Sequence, residues 1–231
     1  KQRRRTQIAA IGLRRSEMKL GLKLFPMNGV QRLVDDVTVD LKKLSLNAEK
    51  TVVVNIDPIV GFFLRGAMAS PRLEKIIPKI EKVNDLFDKS RKLFFIDSHS
   101  AVSTEFTAYP LHCVTEDECK IIPELNRFLP DSDIIDKNCT NGFLAPDYVK
   151  WLGANLPTIE NIIVTGGMSD ISVMQYALTQ KAHFNEIDCK AKVIVVENAT
   201  QTFDTQAHNG DNMHAFAMYN LYQNGVIIAR I

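Results

Sequence analysis

The chain has 231 residues, is 45% hydrophobic and 24% charged, and holds one Trp, proportions that read as a soluble globular protein. One α/β domain of roughly 180–200 residues plus an N-terminal extension fits that length. The net charge is +1, but residues 1–25 carry eight Lys or Arg against Glu17 alone, so that segment is +7 and the rest −6. A mildly acidic body with no basic stripe argues against nucleic acid as a partner.

The basic segment reads as a leader, or as translation from upstream of a start at Met18. Its apolar stretch, Ile8 to Leu13, is too short for a signal-peptide core. No run approaches the ~18 apolar residues of a membrane span, so no membrane partner is expected. Cys113, Cys119, Cys139 and Cys189 have neither CxxC spacing nor a secretory context. They read as reduced thiols in a cytoplasmic protein. Residues 1–49 are therefore taken as basic extension and adaptor, and 50–231 as the domain.

In the adaptor, Val30 to Leu46 mixes helical and strand spacing and is left unassigned. Thr51-Val52-Val53-Val54-Asn55-Ile56 is a β-branched run suited to a strand buried on both faces, ending at Asp57-Pro58. Pro71 to Lys89 has the apolar period of one helix, with Pro78 inside it. Leu93 to Ile96 is a second buried strand, ending at Asp97-Ser98-His99. Residues 98–132 are then long, polar and irregular, with three prolines and two histidines, and loops of that length are usually functional.

Ile134-Ile135 predict a short strand ending at Lys137, and Ala145 to Leu152 a helix. Asn161 to Val164 predict a strand, Lys192 to Val196 another, Asp211 to Gln223 a helix, and Val226 to Ala229 a last strand. This alternation argues a three-layer α/β/α fold around a mainly parallel, six-stranded, Rossmann-like sheet. Ligands bind such sheets at the carboxyl ends of the strands. There the sequence puts Asp57, Asp97, His99, Lys137 and the stretch Gly166 to Ser172.

Val164 to Val173, VTGGMSDISV, reads as strand, glycine turn and helix start. A hydroxyl there sits at the positive end of a helix dipole, with turn N–H groups aimed at whatever it attacks. The same pattern also serves as an ordinary capped turn, with Ser169 or Asp170 as the cap. Thr165-Gly166-Gly167-Met168 is no G-x-G-x-x-G fingerprint and no P-loop occurs, which speaks against a nucleotide or other organic cofactor.

Three motifs in order resemble the isochorismatase-like cysteine hydrolases, which include nicotinamidases. They are Asp57-Pro58-Ile59-Val60-Gly61-Phe62, then Asp136-Lys137-Asn138, then Ser169-Asp170-Ile171-Ser172-Val173. The resemblance spans about residues 50–231 and implies the isochorismatase-like fold and hydrolysis of a small amide such as nicotinamide. It implies Asp57 as general base, Lys137 as its orienting cation, and Ser172 in the nucleophile's place. The backbone N–H groups of Met168 and Ser172 would form an oxyanion hole, with a cis peptide between Gly167 and Met168. Family members are commonly dimers or tetramers, so a homo-oligomer is implied.

The nicotinamidase branch carries a metal site of the type Asp-x-His, then His or Glu, then His. Here that pattern falls on Asp97, His99, Glu105 and His112, a set suited to one divalent Zn, Fe or Mn. The metal would polarise a ring nitrogen of the substrate, and Tyr109, opposite Phe62, would stack on the ring.

The resemblance breaks at the nucleophile, where the family has Cys and this chain has Ser172. A thiol ionises near pH 8.5 and an alcohol near water's ~16, a gap on the order of 10 kcal/mol. Serine hydrolases bridge it with histidine, but His183, His208 and His214 lie at no strand end. Cys139, two residues after Lys137, is within reach of the pocket. Three readings follow: an engineered Cys-to-Ser exchange, a natural binding protein without turnover, or thiol-independent vinyl ether cleavage of the isochorismatase kind.

Overall fold

Residues 27–231 are described by the computed structural model; the basic segment read as a leader lies outside the described residues. Seven strands form one sheet: β1 (Val39–Asp40), β2 (Thr51–Ile56), β3 (Arg91–Asp97), β4 (Ser132–Lys137), β5 (Asn161–Gly167), β6 (Lys192–Gln201) and β7 (Ile227–Arg230). Their order is β1-β7-β6-β5-β2-β3-β4, and every neighbouring pair is parallel. The helices are α1 (Met27–Val37), α2 (Val60–Phe63), α3 (Pro71–Glu74), α4 (Ile77–Leu86), α5 (Glu116–Cys119), α6 (Pro146–Asn155), α7 (Met174–Glu186) and α8 (Gly210–Gln223).

The strand count corrects the six expected, because the unassigned adaptor supplies both α1 and β1. The two-residue β1 is too short for any period to announce it; pairing of Val39 with Ala229 and Asp40 with Arg230 makes it a strand. The single helix expected from Pro71 to Lys89 is also corrected to two, α3 and α4. Pro78 has no N–H to donate and crowds the preceding turn, so the chain breaks and restarts with Pro78 in the first turn of α4.

Alternation along β2 divides the core. Val52, Val54 and Ile56 face one apolar layer with Tyr148, Tyr176, Phe184 and Leu221, whereas Val53 faces the other with Phe63, Leu73 and Ile80. Each face is therefore covered by helices, as a wholly parallel sheet requires. A polar knot ties the centre: Asn55 and Asn84 exchange side-chain hydrogen bonds (3.2 and 2.9 Å), and Thr165 donates to Asn55 at 2.9 Å. Fully paired polar groups in a core penalise other arrangements, which here holds β2 against β5 just beneath the site. The chain runs outward from β2 in one direction and from β5 in the other. The crevice between their carboxyl ends is the switch point where such folds bind ligands.

Candidate active site

Asp57 leaves β2 in the left-handed region (φ 50°), a conformation Asp tolerates better than most side chains. Its N–H donates to the Phe95 carbonyl (3.1 Å) and its carbonyl accepts from Ile59 (2.8 Å), so the backbone is held on both sides. On the neighbouring strands Asp97 and Lys137 are register partners, which brings their side chains together. Lys137 Nζ lies 2.8 Å from Asp97 Oδ1 and 2.9 Å from Asp57 Oδ2, with all three groups buried. Asp57 is thus held by the Lys137 ion pair, and the Ser172 hydroxyl is its other polar partner.

These surroundings drive the two carboxyls in opposite directions. Burial raises Asp57 to about 7, and the nearby Asp97 charge adds to that, while Lys137 and the Ser172 hydroxyl only partly offset them. Burial also opposes ionisation of Asp97, but Lys137, His112 and His99 outweigh it and hold that carboxyl far below its ordinary value. Lys137 itself is stripped of water, yet Asp57 and Asp97 keep it firmly protonated.

The turn that carries Ser172 follows β5. Gly166 has φ 110°, and a Cβ there would stand 2.0 Å from the Ile56 carbonyl oxygen, so only glycine lets β5 come this close to β2. The Gly167–Met168 peptide is cis. One π-helical turn, Ser169–Val173, leads into α7; the Met168 carbonyl accepts from Ile171 and Val173 and passes over Ser172. Ser172 is buried and lines one cavity with Phe62, Asp97, Tyr109, His112 and Met168.

Asp97, His99, Glu105 and His112 converge, with donor atoms within 4.8 Å of one another. His99 Nε2 and His112 Nε2 lie 2.9 and 3.3 Å from Asp97 Oδ2, and Glu105 Oε1 lies 3.7 Å from His99 Nε2. The outer ring nitrogens are already engaged, His99 Nδ1 with Asn138 (3.1 Å) and His112 Nδ1 with the Pro110 carbonyl (2.6 Å). Anchored outer nitrogens that turn Nε2 inward are the usual support of metal-binding imidazoles, so the donor set fits a divalent cation. Burial disfavours the charged imidazoles, but Asp97 foremost raises both above their ordinary value. Phe106, which no motif marked, packs edge-on against both rings at 5.4 and 5.6 Å.

Cys139 does not reach this cavity. Its thiol donates to the Asn141 carbonyl at 3.4 Å, and Thr140 stands in the wall instead. All four cysteines are free, and Cys113, beneath the site, is driven strongly toward the protonated thiol, first by burial and then by Asp97 and Asp57.

Two histidines without a motif do meet the turn that carries Ser172. His208 Nε2 lies 2.8 Å from Asp170 Oδ2, and His214 Nδ1 lies 2.9 Å from Ser169 Oγ. They are 38 and 45 residues away in sequence, and no spacing rule links them to the turn. Neither is bonded to Ser172.

The profile of the Isochorismatase domain matches residues 51–230. The chain belongs to the isochorismatase family. No curated protein matches the sequence. An isochorismatase-like hydrolase from Alkaliphilus metalliredigens is 21% identical with a TM-score of 0.64, over 78% of this chain and 94% of that one. The zinc complex of a Pyrococcus horikoshii pyrazinamidase is 19% identical with a TM-score of 0.64, over 79% and 99%. The nicotinate complex of PnC1 from L. infantum is 17% identical with a TM-score of 0.66, over 81% and 96%. At these identities the likeness is one of fold: the isochorismatase-like sheet with helices on both faces. Among the described residues no helix is long and apolar enough to cross a membrane.

Proposed function

We propose that this isochorismatase-family protein is a hydrolase site for a small amide, with Asp57 as general base, Lys137 as its orienting cation and Ser172 in the nucleophile's position. The observation that carries the reading is Asp57 itself. A fully buried carboxyl, raised to about 7 and 2.9 Å from a buried lysine, is suited to exchange protons near neutrality. The Ser172 side chain gives its proton to Asp57 as it attacks the carbonyl carbon. The Met168 and Ser172 N–H groups receive the oxyanion. Asp57 passes the proton to the departing ammonia; it then takes a proton from the water that attacks the acyl-enzyme and returns it to the Ser172 oxygen as the acid leaves, which restores both groups.

Asp97, His99, Glu105 and His112 would hold a divalent metal, which supplies a Lewis acid for a ring nitrogen or another lone pair of the substrate. Phe62 and Tyr109 stand 5.6 and 6.2 Å from the His112 ring and offer flat walls for an aromatic amide. The pyrazinamidase and PnC1 structures, described with zinc and with nicotinate, support a metal and a pyridine ring as the chemistry to test in this chain.

A binding protein without turnover is the second reading, favoured by the Ser172 alcohol, which has no histidine base. Ammonia release from nicotinamide and pyrazinamide by the chain and by Ser172→Cys separates the two. The Cys form should exceed the Ser form by at least ~10³-fold, about 4 kcal/mol in the barrier. A Cys form inert on every amide, beside a Ser form that cleaves isochorismate, would sink the amidase reading in favour of thiol-independent chemistry.

A further inference from the structure

The cavity at Ser172 measures only about 20 Å³, which is room for a water but not for a substrate. Directly beyond it lies a second chamber of about 380 Å³, open to solvent. Met68 and Tyr109 line both spaces and form the partition between them. The chamber is walled by three segments that follow different strands: 67–71 after β2, 108–110 after β3, and 203–205 after β6.

Its chemistry is selective. Ala67, Met68, Pro71, Ala108, Pro110 and Phe203 make the wall mostly apolar, and the only charged lining group is the Asp204 carboxylate. Nearby Arg72 is spent elsewhere, with Nε on the Thr202 carbonyl (3.2 Å) and its far end on Asp211 (2.5 Å). Behind Phe203, whose ring stacks on His208 at 4.0 Å, the buried Asp170 keeps Oδ1 without a donor. The chamber lining thus offers a ligand one carboxylate and no cationic side chain.

We propose that the outer chamber is the subsite for an uncharged, apolar acyl substituent of the substrate, and that Met68 is the partition that moves aside when the amide reaches Ser172. Rested on the amidase reading above, this names its substrate class: neutral carboxamides with an apolar tail longer than a bare pyridine ring, and not amides bearing a carboxylate. A thioether on an exposed turn suits a moving wall, because Met has three soft torsions and no polar atom to re-pair. The turn is tied at its ends, Ala69 to Gly66 (3.2 Å) and Ser70 to Phe62 (3.0 Å), so the side chain can move without unfolding it.

The test is direct binding to the unmodified chain, which does not depend on turnover. Propionamide, 4-phenylbutyramide and the anionic glutaramate are titrated by calorimetry. The phenyl compound should bind at least ~10-fold tighter than propionamide, with glutaramate weakest. Ala108→Trp and, from the opposite wall, Thr205→Trp should each cut the ratio of phenylbutyramide to propionamide affinity by at least ~10-fold, with the thermal melt checked for both. Met68→Ala should raise that ratio instead. If propionamide and phenylbutyramide bind alike and neither tryptophan changes their ratio, the subsite is refuted while the amidase reading stands. If no amide binds in any form, both readings fall together.

Discussion

Two ionic chains flank the turn that carries Ser172, each centred on a buried carboxyl, and they are built to opposite ends. On the β2–β3–β4 side, Lys137 joins a well-paired Asp97 to Asp57, whose burial outweighs its partners and raises it to about 7. On the β6–β7 side, Arg230 grips Glu197 through two hydrogen bonds (2.7 and 3.1 Å), and His214 Nε2 stands 3.6 Å away. Burial would raise Glu197 too, but His214 and Arg230 outweigh it and take the carboxyl down to about 2. Two buried carboxyls at the carboxyl edge of one sheet are thus driven in opposite directions, Asp57 up where burial prevails and Glu197 down where its partners prevail and brace it.

That contrast can be broken first at Lys137. Lys137→Met leaves two buried carboxyls without their cation, and the loss should be about 3–5 kcal/mol in urea unfolding. A change below ~1 kcal/mol would mean that Asp57 and Asp97 hold no net charge in the folded protein. On the other side, Glu197→Gln should cost about 2 kcal/mol, because charged hydrogen bonds to Arg230 are exchanged for neutral ones.

The pH dependence sharpens the same difference. Glu197 has a folded value of about 2 against an ordinary 4.5, so its contribution is complete above pH 4.5 and is lost as pH falls toward 2. Glu197→Gln should flatten that acid limb of the unfolding curve. If the limb is unchanged, Glu197 is not what the acid titrates. Asp57 behaves the other way: its reactive anion prevails only above about 7. Amide hydrolysis by Ser172→Cys should therefore fall about tenfold per pH unit below that value. A rate flat from pH 5 to 8 would remove Asp57 as the base. The smallest effect belongs to the outer end of the brace, where Arg230 meets Asp35 of α1 at 2.6 Å, both half-exposed. Asp35→Asn should change stability by less than ~1 kcal/mol.

The strands of residues 51–230 were legible because a wholly parallel sheet demands uninterrupted apolar runs, and Val52 to Ile56 or Ile162 to Val164 admit little else. Asp57, Lys137 and the Ser172 turn were legible for a related reason: each directly follows such a run, so chain order alone places them at one edge. The set Asp97, His99, Glu105 and His112 was named only through its resemblance to the nicotinamidase pattern, since two histidines and two acids on a polar loop do not by themselves announce convergence. Tertiary structure alone decided the rest. Whether α1 and β1 exist depends on α8 and β7 being there to receive them. Pro71 to Lys89 has the period of one helix, and only the backbone at Pro78 shows the break. His208, His214 and Phe106 carry no local signal, since a long-range contact leaves no spacing in the chain. The raised ionisation of Asp57 comes from its complete burial beside Lys137 and Asp97. Burial is set by how the whole chain packs, and no local sequence pattern records it.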